Sequence, residues 1–108
     1  MKIVTTESVS GYTITEHIGY VVGTTIRARH IGKDIFAGLR TLVGGEIKEY
    51  TTMLAESREQ AIQRMVQRAE AMDADAIVGV RFQTSMIMAT TAELMVYGTA
   101  VKLSAADQ

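Results

Sequence analysis

Two apolar segments near the C-terminal end of the chain constrain its fold more than any other feature. They are ADAIVGVRFQTSM, residues 74 to 86, and AELMVYGTAVKL, residues 92 to 103. Both are rich in the β-branched and aromatic residues that suit a pleated surface. The short connection between them, around IMATT, predicts an antiparallel pair of strands.

These strands carry apolar residues on both of their faces. An antiparallel sheet with one face in water alternates apolar and polar residues, and neither segment does so. In the first segment Arg81 is the lone charge after Asp75. Strict alternation predicts which residues share a face of each strand. In the first strand, one face has Ala76, Val78, Val80 and Phe82, and the other has Ile77 and Gly79. In the second strand, one face has Leu94, Val96, Gly98 and Ala100, and the other has Met95, Tyr97, Val101 and Leu103.

A long amphipathic helix precedes the paired strands. Residues 46 to 72 repeat apolar side chains at helical spacing, and a helix of that length measures about 40 Å. A compact chain of this size has a radius of gyration of only about 13 Å, so the helix should overhang its own core or lie along a neighbour. The apolar stripe is Ile47, Tyr50, Leu54, Ala61, Met65, Ala69 and Met72, widened by Ile62 and Val66.

The remaining segments complete a single domain over residues 1 to 108. KIVT at 2 to 5 predicts a short strand, and GKDIFAGLRTLVGG at 32 to 45 predicts a short amphipathic helix. Residues 12 to 29 predict two short strands or one strand bent near Gly19 or Gly23, because glycine in a strand marks a bulge or a close backbone approach. The expected fold is a two-layer α/β (α+β) domain, with a mostly antiparallel sheet on one long and one short helix.

Such a fold leaves one apolar sheet face uncovered. One long and one short helix are too few to shelter both faces of a sheet of four or five strands. The second face is therefore expected to meet another copy of the chain, which predicts a homo-oligomer. A ligand or a folded-over N-terminal hairpin is the less favoured cover.

Composition excludes several partners. The formal charge of −1 gives no basic surface for a phosphate backbone, so nucleic acid is not expected. The absence of Cys excludes disulfides and thiolate zinc sites, which suits a cytoplasmic location. The N-terminus MKIVTTESVSG has no apolar stretch of a signal peptide, and no segment is long and apolar enough to predict a membrane span.

Arg58 is the most informative polar residue, since it falls on the helix stripe between Leu54 and Ala61. A buried guanidinium requires a carboxylate or another anion. The polar patch predicted around it is completed by Arg40, Glu46 and Tyr50. An inter-subunit ion pair is the favoured interpretation of this patch, and an anion-binding or catalytic role is the alternative.

Histidine and methionine offer two weaker metal hypotheses. His17 and His30 are the only histidines, and a divalent metal is the ion they would suit, although their spacing fits no metal motif. Satisfied strand or surface histidines are the default interpretation. Met86, Met88 and Met95 could form a thioether site for copper(I), but methionine more often fills gaps in cores and interfaces.

The sequence also resembles a known family. The blocks IFAGLRTLVGG, AESREQA, DADAIVGVRF and VYGTAVKL, in this order and with Tyr50 before the second, are similar to the YbjQ-like family, whose members are labelled "putative heavy-metal-binding domain" and have no established activity. The resemblance runs from about residue 5 to residue 103. The resemblance implies a dodecin-like two-layer subunit that assembles into a ring, a pentamer. It also implies the metal binding named in the family's label.

Three functions are expected from these features. The first is a cytoplasmic homo-oligomer that binds a metal or a small ligand without catalysis. The second is a structural or interaction protein whose polar helix residues join subunits. The third is an enzyme that uses Glu46 or Tyr50 as acid or base and Arg58 or Arg40 as an anion clamp.

Overall fold

The computed structural model describes residues 1–27, 48–88 and 91–106. These residues form strands β1 (Lys2–Ile3) and β2 (Tyr12–Arg27), helix α1 (Lys48–Ala71), and strands β3 (Ala76–Met88) and β4 (Thr91–Ala105). The sheet order is β1-β3-β4-β2, with β1 parallel to β3 and the other pairs antiparallel. The α+β fold is confirmed, with one helix on a mixed sheet. The second, short helix is not confirmed, and residues 32 to 45 lie outside the described residues.

Helix α1 packs one stripe of side chains onto β2 and β4. Ser57, Ala61, Met65 and Ala69, each one turn from the last, are buried. The stripe predicted from Ala61 to Ala69 is therefore confirmed. Its predicted flanks differ, because Leu54 and Met72 are 39% and 38% exposed.

The helix passes into β3 without glycine or proline because Asp73 adopts the left-handed conformation. Its φ is 59°, a region that aspartate enters more readily than most residues. The amide of Ala74 then donates to the carbonyl of Ala69 at 3.1 Å, which satisfies one of the free carbonyls at the helix end. Asp73 thus takes the place that glycine usually holds after a helix.

Two glycines shape β2, which is a single bent strand. The register against β4 shifts between His17 and Gly19, so the bend predicted at Gly19 is confirmed. Gly23 serves the second predicted purpose, a close backbone approach. A Cβ atom there would lie 1.9 Å from the carbonyl oxygen of Ala61 on α1.

A bulge at Gly79 changes the faces of β3. Val78 pairs with Thr99 and Arg81 with Tyr97, so β3 has one extra residue between them, and Gly79 has a φ of 62°. Val80 therefore joins Ile77 beneath the helix, while Val78 stays on the opposite face. The prediction that Val78 and Val80 share a face was wrong, because simple alternation does not allow for the extra residue.

The N-terminal segment covers part of the sheet face opposite the helix. Val9 is buried there against Ala76, Val78 and Val101, and Val4 packs beside them. The less favoured expectation was a folded-over N-terminal hairpin, whereas this segment follows a strand, β1, that pairs in parallel with β3. The second face is therefore sheltered by the chain itself at the end of the sheet near β1.

Toward the other end of the sheet, the described residues include exposed apolar side chains on both faces, although Thr25 and Val96 are buried beneath the helix. We call this region the outer half of the sheet. The chain measures 58 × 26 × 17 Å, and its radius of gyration of 17.6 Å exceeds the roughly 13 Å of a compact chain of this length. The exposed apolar side chains of the outer half, with their exposed fractions, are Tyr20 81%, Ile26 59% and Tyr97 37% opposite the helix, and Phe82 47% and Met86 68% on the helix side.

Candidate functional site

Two arginines of α1 reach the free edge of β2. Among the described strands β2 is the last of the sheet, so alternate carbonyls along it have no partner in another described strand. Arg68 Nη1 donates to the carbonyl of Val22 at 2.9 Å, and Arg64 Nη1 donates to the carbonyl of Thr24. The helix packs close enough for these bonds because Gly23, between the two acceptors, has no side chain.

An open cleft of about 490 Å³ lies between α1 and this edge. Its volume falls within the range of small-molecule sites, about 300 to 1,000 Å³. The two guanidinium groups lie one helical turn apart on its wall, and the small side chain of Ala71 leaves room at one end. The lining residues are Thr24, Arg64, Gln67, Arg68 and Ala71.

The cleft has a local excess of positive charge. Within the described residues the ion pair is Lys102 with Asp73, at 3.0 Å, and neither Arg64 nor Arg68 has a carboxylate partner. Like charges one turn apart on a helix repel each other. An anion placed between the two guanidinium groups would relieve that repulsion and accept charge-assisted hydrogen bonds from both.

Of the polar patch expected around Arg58, only the Arg58 side chain belongs to the described part of the structure. Arg58 is exposed, and it does not line the cleft. The buried stripe runs instead through the neighbouring Ser57, so the expected burial of Arg58 is not found in the single chain. Tyr50 lies in the first turn of α1, and Arg40 and Glu46 lie outside the described residues.

Sequence reasoning missed Arg64 and Arg68. They flank the buried stripe of α1, where a charged residue usually faces solvent. The available signal was a pair of arginines at positions i and i+4 of the predicted helix, together with Gly23 inside a predicted strand. The sequence does not say which strand lies beneath them or that this strand is an edge.

The metal hypotheses gain no support from the described residues. His17 is exposed on β2, and His30 lies outside the described part of the chain. No group of three His, Cys, Asp or Glu side chains that could hold a metal occurs among the described residues. Met95 pairs with Gln83, three residues from Met86 along β3, so Met86 and Met95 lie on opposite faces of the sheet, and the side chain of Met88 lies outside the described residues.

A family model described as "Putative heavy-metal-binding" matches residues 1–104, nearly the whole chain. The chain belongs to this YbjQ family. Relatives named UPF0145 protein support the assignment. One from Methanosarcina acetivorans is 57% identical over 95% of this chain and 97% of its own, and one from Thermosipho africanus is 49% identical over the full length of both.

A solved structure shares the YbjQ fold. It is a protein of unknown function of the DUF74 family from Pediococcus pentosaceus, with a TM-score of 0.64 over 96% of this chain and 98% of that chain. At 21% identity this similarity shows the fold alone. Within the described residues, no helix combines the length and the apolar character needed to span a membrane.

The heavy-metal description of the YbjQ family does not fit the donors that the structure brings together. Heavy metals prefer thiolates and imidazoles, and this chain has no Cys. Its described residues also lack a three-donor cluster. The cleft instead offers guanidinium groups, which bind anions and do not ligate metals.

Proposed function

We propose that this protein is a cytoplasmic homo-oligomer, a ring of five subunits, that binds a small ligand without catalysing a reaction. The observation that supports assembly is the outer half of the sheet, where both faces carry exposed apolar side chains. A monomeric protein rarely leaves a contiguous apolar patch of this kind in water. Sister subunits would cover it and would also account for the elongated shape of the single chain.

The cleft beside β2 is the proposed ligand site of each subunit. Its guanidinium groups are held by hydrogen bonds to the backbone carbonyls, so little side-chain entropy remains to be lost when a ligand binds. The cleft lies at the β2 edge, whereas Phe82 and Met86 lie on β3, which β4 separates from β2. Assembly through Phe82 and Met86 would therefore leave the cleft open, and Tyr20 and Ile26, although they belong to β2, lie on the face opposite the helix that forms the cleft.

A thermal-shift screen of the assembled protein against metabolites and metal ions tests ligand binding. A ligand at about 100 times its dissociation constant adds roughly 2.7 kcal/mol to the free energy of unfolding. We expect a rise in melting temperature with a small ligand. The divalent metal implied by the family description is included in the screen as the alternative ligand.

A purely structural protein is the second candidate function. Arg64 and Arg68, which have no carboxylate partner among the described residues, favour it, because a carboxylate of a neighbouring subunit would fit between them. This candidate predicts that no metabolite or metal changes the melting temperature. An enzyme built on Glu46, Tyr50 and Arg58 is not proposed, because Arg58 lies apart from the cleft.

A further inference from the structure

We propose that the cleft between α1 and β2 binds an oxyanion, a phosphate or carboxylate group of a small molecule, between Arg64 and Arg68. This inference rests on the proposed function, whose ligand class it names. The cleft contains two cations without a carboxylate partner among the described residues. Two positive charges in one cleft favour an anionic ligand.

The spacing of the two guanidinium groups suits a single anionic group. Arg64 and Arg68 are separated by about 6 Å of helix rise. Their carbonyl acceptors, Thr24 and Val22, are two residues apart on the strand, which is about 6.6 Å. The two side chains therefore run side by side, and a phosphate or carboxylate between them can accept hydrogen bonds from both.

Each arginine has further N–H donors for this ligand while it is hydrogen-bonded to the edge of β2. A guanidinium group has five N–H donors, and the bond to the strand carbonyl engages Nη1 alone. The remaining donors form the planar fork that matches carboxylate and phosphate oxygens. Lysine has no such fork, so two arginines are better suited to this role.

Further donors surround the same position. In an antiparallel strand the N–H and C=O of one residue point to the same side, so the amides of Val22 and Thr24 also face outward at this edge. Gln67 lines the cleft beside Arg68 and offers an amide group. The uncharged part of a ligand has room toward Ala71. These groups together favour an anion carried by a small metabolite.

Titration calorimetry with inorganic phosphate, and separately with succinate, tests the proposal on the full chain at constant ionic strength set by chloride. We expect saturable binding of at least one of the two anions, and the preferred one identifies the oxyanion. Arg64→Gln and Arg68→Gln should each weaken that binding about tenfold or more, as expected for a lost charge-assisted hydrogen bond. Lys2→Gln removes one positive charge at the distant strand β1 and should leave the affinity unchanged.

Because Arg64 and Arg68 also bond to the strand, Arg64→Lys and Arg68→Lys serve as second variants. They retain the charge and one donor for the carbonyl but lose the fork. We expect folded proteins, by circular dichroism, with affinity reduced at least severalfold. Affinity unaffected by all four arginine substitutions, or reduced equally by Lys2→Gln, would overturn the proposal.

The native mass of the same samples separates this proposal from the proposed function. An assembled protein that binds neither anion overturns the oxyanion site and leaves assembly standing. Loss of assembly in the glutamine variants, without anion binding to the unsubstituted protein, assigns the arginines to a subunit contact and also overturns it. A monomer that binds phosphate contradicts the oligomer and supports the oxyanion site.

Discussion

Gly23 of β2 lies directly beneath Ala61 of α1, so close that a Cβ atom on Gly23 would be 1.9 Å from the Ala61 carbonyl oxygen. It would also be 2.7 Å from the amide nitrogen of Met65. Both obstacles are backbone atoms of the helix, which cannot move aside independently. This contact sets the distance between helix and strand, and it brings Arg64 and Arg68 within reach of the strand edge.

Gly23→Ala should therefore destabilise the protein by about 3 kcal/mol or more, at the upper end of the cost of overpacking. The measurement is urea unfolding followed by circular dichroism. Gly98→Ala is the matched control. Its Cβ would meet a methyl group of Ile77 at 2.7 Å and the carbonyl of Val78 at 3.0 Å, so we expect a smaller loss. Equal stability of Gly23→Ala and the unsubstituted protein would show that the helix does not lie this close.

Gly79 supplies a left-handed backbone conformation, and its amide donates to the carbonyl of Thr6 at 2.8 Å. Its φ is 62°, and a Cβ atom would meet no heavy atom within 4 Å. Gly79→Ala should cost about 1 to 2 kcal/mol, the penalty of that conformation for a residue with a side chain. Gly79→Asn should cost less, because asparagine enters this region more readily. Equal losses in urea unfolding for the two variants would argue against the bulge.

The pKa of Lys102 lies above the ordinary value of a lysine side chain. The hydrogen bond to Asp73 raises the pKa of Lys102, partial desolvation opposes this, and the charges of Asp73, Asp75 and Glu16 add to the increase. Because the folded pKa lies above the unfolded one, the stabilisation is fully present below the unfolded pKa. It is lost as the pH rises through the folded pKa, above about 10.4.

Asp73→Asn should lower the pKa of Lys102, which NMR titration of the lysine side chain measures. Glu7→Gln removes an exposed acid that is absent from the groups acting on Lys102, and it should leave that pKa in place. If the pKa of Lys102 is the same before and after the Asp73→Asn substitution, the ion pair does not persist in solution.

Periodic patterns in the sequence were sufficient to predict the helix and the long strands. The predicted faces of β3 failed at Val80, because one extra residue at Gly79 reverses the alternation. An N-terminal cover over Val78 was the less favoured expectation, because Val9 lies in a short turn whose sequence has no periodic pattern. The cleft was not predicted, because the approach of Arg64 to Thr24 depends on tertiary packing.

Tyr20 tests whether the outer half of the sheet is a subunit interface. Its side chain is 81% exposed in the single chain, so Tyr20→Glu should change the stability of the dissociated chain by no more than about 0.5 kcal/mol. It should nevertheless weaken assembly, because it would bury an unpaired charge in the interface. Sedimentation velocity measures the shift to smaller species. Ser10→Glu adds the same charge at an exposed turn and should leave assembly intact.

The most direct test of the account is the native mass of the protein at micromolar concentration, measured by light scattering coupled to size-exclusion chromatography. The account predicts one species with a mass near five times the 11.8 kDa of the single chain. A monodisperse species of 11.8 kDa would contradict it. The exposed apolar side chains of the outer half of the sheet would then be stable in water without a partner subunit.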